Sequence, residues 1–345
     1  MIEIDGSHGE GGGQILRTAL SLSCLYQKPF RIYNIRKARK KPGLMPQHLT
    51  AVRAAQLISA AEVSGGHSGS TEIIFSPHDV KEGHISFDIG TAGSTSLVLQ
   101  TLIPALVFGK GKSTVTLKGG THVPFSPSFQ YLAEVFAPIL QKLGIDIELT
   151  ISSYGFYPRG GGEITAEIAP VQSVNPLRLM KRGRITGLTG YSAVGNLPFS
   201  IAERQKNAAL ATVHDHLHTI ECPVQLEVQN VPTPGHGTFL FIKMTTEHSV
   251  AGFTALGERG KRAETVGKEA VLELIGYCSS GAPVDQHLAD QIVVYLSLCA
   301  EESEFAVSCV TQHLLTNLWV ISQFLKGIRH RVDGEPGKPG TVRIN

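Results

Sequence analysis

GTAGSTSLVLQTLIPALVF, residues 90–108, opens on glycines and continues as an apolar run with helical spacing. Its counterpart is GEGGGQILRTALSLS, residues 9–23, where Ile15, Leu16, Leu20 and Leu22 suit a helix; the two helices begin 80 residues apart, at Gln14 and Ser94. The elements after each helix are shared as well. The first leads to a strand, PFRIYNIR, a helix from Pro46 to Ala61, and two strands, TEIIF and HISFDI. The second leads to STVTLKG as strand, FSPSFQYLAEVFAPILQKLG as helix, then IDIELTI and GGEITAEI as strands. A third copy lies near the last residues, with HLADQIVVYLSLCA and TQHLLTNLWVISQFL as helices and EFAVSCV, IRHRV and TVRIN as strands. The repeat predicts an α/β fold, layered α+β, in which three helix-strand-helix-strand-strand units form a pseudo-threefold body.

Residues 181–276 do not follow this order as cleanly. They carry strands (VQLEVQ, GTFLFIKM) and helices (FSIAERQKNAALATVHDHLH, KRAETVGKEAVLELIG), enough for a compact inserted α/β domain. The expected body is therefore residues 1–180 and 277–345, interrupted by 181–276.

With 345 residues, 42% hydrophobic and 17% charged, the composition is that of an ordinary soluble globular protein. No apolar run reaches membrane-spanning length, and MIEIDGSHGEGGGQ lacks the basic and apolar blocks of a signal peptide. Five scattered cysteines (Cys24, Cys222, Cys278, Cys299, Cys309) without a CxxC pair read as reduced thiols, so a cytoplasmic location is expected. The net charge of +2 is uninformative, but RKARKK, Arg36 to Lys41, holds five cations in six residues and calls for an anion.

The repeat puts His48, in PQHLTAV, and His313, in TQHLLTN, at the start of the second helix of their copies. Helix starts expose unpaired N–H groups and partial positive charge, which attract phosphate. If the copies converge, GEGGGQ, GTAGST, HLADQ and both QHL segments surround one anionic ligand. Glu10, within the glycines, is an acid able to hold a divalent cation, and Arg17 follows Gly13 by a little over one turn. Pro42 and Gly43 turn the basic run into the helix of His48. A neutral imidazole in this setting suits nucleophilic attack on phosphorus, and periodicity leaves open whether His48 or His313 attacks. Two tempting motifs fail. FGKGKST (108–114) lacks the Walker spacing and leads into a strand, and VHDHLH (213–218) puts His214 and His218, but not His216, on one helical face.

DGSHGEGGGQILRTALSLS, IRKARKKPGLMPQHLTAV, IGTAGSTSLVLQTLIPAL, GFYPRGGGE, the AER of SIAERQK, HLADQ and TQHLLTN together resemble the RNA 3′-terminal phosphate cyclase family across essentially the whole chain. The resemblance implies ATP-dependent conversion of an RNA 3′-phosphate end to a 2′,3′-cyclic phosphate, a ligase-type nucleotidyl transfer through a histidine–AMP and an RNA-(3′)pp(5′)A intermediate. It implies that His313, in HLLTN, carries the AMP. It makes Gln100, His287, Leu288, Ala289, Asp290 and Gln291 nucleotide-binding positions, with Glu10, Arg17, Arg39 and His48 near the phosphates. Glu10 would hold Mg2+ or Mn2+, and Arg36, Arg39 and Lys41 would meet RNA. A homodimer is admitted and no membrane is involved. Tyrosine can stand in the family where this chain has His287, a change that weakens stacking on adenine. Relatives without the nucleophilic histidine act in ribosome assembly, which makes a scaffold the alternative. An enolpyruvyl-transferase-like reading gives His313 and Glu10 no covalent task.

Overall fold

The computed structural model of the chain describes residues 1–217 and 222–345. The first unit is β1 (Ile2–Asp5), α1 (Gly13–Tyr26), β2 (Phe30–Tyr33), α2 (Pro46–Ser59), β3 (Glu62–Ser64) and β4 (Ile73–Ser76). The second is β5 (Gly83–Asp88), α3 (Thr95–Leu106), β6 (Ser113–Gly119), α4 (Phe129–Tyr131), a π turn (Leu132–Phe136), α5 (Ala137–Lys142), β7 (Ile147–Ser153) and β8 (Gly162–Ile168). The third starts with β9 (Arg178–Leu179). An excursion comes next, comprising β10 (Ile185–Gly195), α6 (Phe199–His216), β11 (Val224–Asn230), β12 (Gly237–Thr246), β13 (Val250–Leu256) and α7 (Ala263–Ser280). The unit resumes with α8 (Gln286–Leu296), β14 (Ser303–Val307), α9 (Gln312–Phe324), β15 (His330–Asp333) and β16 (Gly340–Ile344).

The three sheets share one topology, β1-β2-β4-β3, β5-β6-β8-β7 and β9-β14-β16-β15. In each the first pair is parallel and the other two are antiparallel. The fold is mixed α/β, and its repeat begins with a strand. This corrects the boundary read from sequence: HISFDI does not close the first unit but opens the second as β5. A parallel pair needs a crossover, and α3 provides it between β5 and β6, so pairing decides which unit the strand joins. The three-residue β3 and two-residue β9 are too short for any alternation to register. The long second helix also differs from the continuous one expected. Pro138 has no N–H to give the turn before it, and the helix widens there, with Ala137 N–H donating to Leu132 O across the π turn.

Alternation puts Ile4, Phe30, Ile32, Ile73 and Phe75 on one buried face of the first sheet. The helices pack on one another, α1 against α2, α3 and α9, and α8 against α3 and α9. Buried polar links fix these contacts. Ser21 Oγ donates to Thr101 O (2.8 Å), Thr18 Oγ1 to Asn317 Oδ1 (2.7 Å), and Asn317 Nδ2 to Asp290 O (2.7 Å). Asn317, fully buried, thus ties α1, α8 and α9 together. Asn317→Ala removes the acceptor of the buried Thr18 hydroxyl proton and a second donor to Asp290 O, and is expected to cost about 1–3 kcal/mol of stability. A urea midpoint that hardly moves at unchanged slope would contradict this.

The excursion between β9 and α8 forms a fourth sheet, β11-β10-β12-β13, with β10 parallel to β11 and the rest antiparallel. Leu188, Leu226, Leu240, Ile242, Met244, Phe253, Val271 and Leu274 make a core of its own. A Cβ on Gly267 would lie 2.2 Å from Gln205 O, so glycine lets α6 and α7 approach closely. β10 and β13 add to the two strands expected there from sequence. His214 and His216 end α6, and His218 lies outside the described residues.

Candidate functional site

The helix starts of the three units meet at a cleft of about 800 Å³. Glu10, Gly12, Gly13 and Arg17 line it from the start of α1, Gln47 and His48 from α2, and Gln100 from α3. His287, Asp290 and Gln291 line it from α8, His313 from α9, and Arg36 and Arg39 from the basic loop. Three residues singled out in the sequence stand elsewhere. Leu288 and Ala289 are buried in the core, and Lys41 is exposed, its carbonyl accepting from Arg36 Nη1 (2.8 Å).

The two histidines sit in similar frames one residue apart, and capping separates them. Helix α2 follows Met45, which offers no capping oxygen, so His48 at the third position reaches back and its Nδ1 accepts the Met45 N–H (3.0 Å). That fixes the proton of a neutral ring on Nε2. Burial, reinforced by Arg17 and Arg36, pulls His48 down to about 3, so it stays neutral. A Cβ on Gly13 would come within 2.5 Å of His48 Nε2 and 3.1 Å of Arg17 Nη1; the glycine makes room for both. Helix α9 follows Thr311, whose hydroxyl accepts Leu314 N–H (3.0 Å) and does the capping itself. His313 at the second position is thereby released, and its Nδ1 lies 3.1 Å from Glu10 Oε2. A Nδ1–H given to that carboxylate leaves the Nε2 lone pair bare. Desolvation lowers His313 below the ordinary histidine range; Glu10 opposes this, and Arg17, His287 and Arg39 add to it.

Glu10 Oε1 also accepts from Arg39 Nη2 (3.1 Å). Arg17 donates to Gln14 Oε1 (2.6 Å) and, among the described residues, has no carboxylate within ion-pair reach. Burial pulls it down to about 10 against the opposing fields of Asp290 and Glu10, so it remains a desolvated cation at neutral pH. Gln100 Nε2, Gln291 Oε1 and Tyr295 OH are buried at the cleft without hydrogen-bond partners among the described residues. With no such partner, these atoms remain available to a ligand or to water.

The far wall is not legible in the sequence. Asp285 caps α8, its Oδ1 accepting from His287 N–H (2.9 Å), Leu288 N–H (3.0 Å) and Tyr131 OH (2.7 Å). Tyr131 has the sequence context of a core residue, and Glu273 of α7 comes from the excursion; an aspartate just before an apolar helical run is the one available signal. Burial pushes Asp290 up to about 7, with His287 and Arg17 drawing it down and Asp285 pushing further. Desolvation pulls His287 down, but Glu273 Oε1 at 2.9 Å, with Asp285 and Asp290, carries it up to about 9. A histidine raised on folding contributes stability that is complete below its unfolded pKa, about 6.5, and is lost as pH rises through 9. Stability is therefore expected to fall between these values, and Glu273→Gln to flatten the slope in urea titrations at several pH values. An equal slope in both proteins would refute the assignment.

Among the described residues no group of three or more His, Cys, Asp or Glu stands together to hold a metal, and no helix is long and apolar enough to cross a membrane. Three strand-led α/β units that turn their helix starts and cations toward one cleft define an α/β repeat protein with a cationic pocket. A family model described as RNA 3′-terminal phosphate cyclase matches residues 8–329. Curated proteins named RNA 3′-terminal phosphate cyclase are similar over nearly the full length. That of Sulfolobus acidocaldarius is 47% identical over 94% of this chain and 95% of its own. Those of Methylococcus capsulatus (44%; 100% and 96%) and Ignicoccus hospitalis (43%; 100% and 98%) are comparable. The chain belongs to the RNA 3′-terminal phosphate cyclase family.

Proposed function

We propose that the protein uses ATP to close an RNA 3′-terminal phosphate into a 2′,3′-cyclic phosphate, with His313 as the group that carries AMP. The observation that carries the reading is the His313–Glu10 pair at 3.1 Å, set beside Arg17, which has no carboxylate within ion-pair reach among the described residues. His313 Nε2 attacks the α-phosphorus of ATP; a P–N bond forms, a P–O bond breaks and pyrophosphate leaves. An oxygen of the RNA 3′-phosphate then attacks the same phosphorus, breaking the P–N bond and giving RNA-(3′)pp(5′)A. The adjacent 2′-hydroxyl, losing its proton, attacks the 3′-phosphorus and expels AMP. Arg17 and Arg39 neutralise charge along this path, and His48 offers its Nε2–H to a phosphate oxygen. The chain's share is alignment and electrostatics.

Gln100, Gln291 and Tyr295 supply unpaired polar atoms for the nucleotide, and His287, which lines the same cleft, stacks on adenine. As a cation tied to Glu273, its ring is a different partner from tyrosine. A divalent ion fits the donor set in the way Mg2+ or Mn2+ commonly binds, through one carboxylate, Glu10, with phosphate oxygens completing the shell. Such an ion would supply charge neutralisation at the phosphates. Arg36 and Arg39 face RNA from the cleft wall, with Lys41 outside it. The same reading takes residues 1–180 and 277–345 as catalytic body and 181–276 as an inserted domain, supported by the separate core of the excursion. It also includes cytoplasmic residence, in keeping with five free cysteines, and a homodimer to be checked by sedimentation.

The test is incubation with α-labelled ATP followed by mass mapping of the adduct. An acid-labile AMP on His313 is expected. Absence of any adduct would favour a binding or assembly role and overturn the enzyme.

A further inference from the structure

We propose that Phe125 is a stacking platform for a base at the RNA 3′ end, with Tyr157 and Arg159 continuing the track; this rests on the function proposed above. Phe125 lines the cleft that contains His313, in the loop that joins β6 to α4. Its side chain is fully exposed, at 101%, and its backbone sits in the left-handed region with φ +61°. A bulky residue there is uncommon and strained, and the fold gains no packing from an aromatic ring held in solvent.

The loop itself is firmly held. Buried His122 is fixed between Thr121 Oγ1 (2.9 Å) and Gln130 Oε1 (2.6 Å), and the Thr121 and His122 N–H groups donate to Gly155 O (2.9 and 3.0 Å). Ser126 Oγ donates to Val123 O (3.0 Å), and Ser128 Oγ shares a hydrogen bond with Thr254 Oγ1 (2.9 Å). So the exposed ring stands on a rigid base.

A parallel bridge between His122 and Phe156 lays the neighbouring loop alongside it. That loop is the GFYPRGGGE stretch, which the adenylylation chemistry leaves without a task. Phe156 is buried, and a Cβ on Gly237 would strike its ring at 2.0 Å, so the residue acts as an anchor. Beyond the anchor Tyr157, Pro158 and Arg159 are exposed, Tyr157 at 69%. Two exposed aromatics and a guanidinium on paired loops, with Phe125 at the cleft itself, match single-stranded RNA. Splayed bases stack on rings, and a cation follows the backbone phosphate.

The test is equilibrium binding of a labelled single-stranded oligoribonucleotide ending in a 3′-phosphate, read by fluorescence anisotropy, with cyclisation of the same RNA followed separately. Phe125→Ala is expected to weaken RNA binding about 5- to 100-fold, the range for one lost base stack, and Phe125→Trp to restore it. An RNA whose terminal nucleotide lacks its base should bind wild type as weakly as the intact RNA binds Phe125→Ala, with no further loss in the combination. Arg159→Ala should reduce the salt dependence by about one phosphate. RNA affinity unchanged in Phe125→Ala, an abasic penalty that persists in that variant, or a loss of ATP affinity in place of RNA affinity would each overturn the proposal. Tight, Phe125-dependent RNA binding without cyclisation would instead overturn the function proposed above and leave the platform standing.

Discussion

His313→Ala is expected to abolish the AMP adduct and lower cyclisation by on the order of 10³-fold or more, the scale of losing a covalent nucleophile. The ring is about half exposed, so the variant should fold, with a circular dichroism spectrum and urea midpoint close to wild type. His48→Ala is expected to keep measurable labelling. Its Nδ1 is occupied by the Met45 N–H, so this ring offers a donor and never an attacking lone pair. Label retained in His313→Ala, or lost only in His48→Ala, would reverse the two roles.

Glu10→Gln should produce the second large effect, a loss of about 10²–10⁴ in the rate of adenylylation, comparable to removing the carboxylate that orients a catalytic imidazole. The amide keeps the reach but loses the charge, and it can present an N–H to Nδ1. The ring proton then moves to Nε2 and closes the attacking lone pair. Glu10 also raises the affinity of His313 for protons, while burial and the nearby cations lower it. Removing the carboxylate should therefore move the acidic limb of the adenylylation profile to lower pH. A variant restored fully by saturating Mg2+ or Mn2+, with the limb unmoved, would show that Glu10 serves only the metal.

The repeat is readable because three apolar helices with polar or glycine-rich starts, each with a strand and a second helix after it, recur along the chain. Ownership of HISFDI is not, since parallel pairing is a long-range property that a short strand does not advertise. At two residues β9 gives no signal at all. At the site, Glu10, Arg17 and the two histidines announce themselves by unusual local context. Tyr131, Tyr295, Asp285 and Glu273 do not. The tyrosines look like core until one hydroxyl, that of Tyr131, meets Asp285 and the other, that of Tyr295, is left unpaired at the cleft, and Glu273 meets His287 only through packing between elements distant in sequence. The difference between His48 and His313 is written in the residue before each helix, methionine in one and threonine in the other.

The place of the excursion, between β9 and α8, has a consequence for synthesis. Arg178 and Leu179 leave the ribosome more than a hundred residues before Glu304 and Phe305, the strand partners they pair with. The first two sheets have all their strands by then and can form as the chain emerges, whereas the third must wait with one edge prepared. Since His313 lies beyond that delay, a nascent chain acquires the imidazole proposed to carry AMP only after nearly everything around it has been translated.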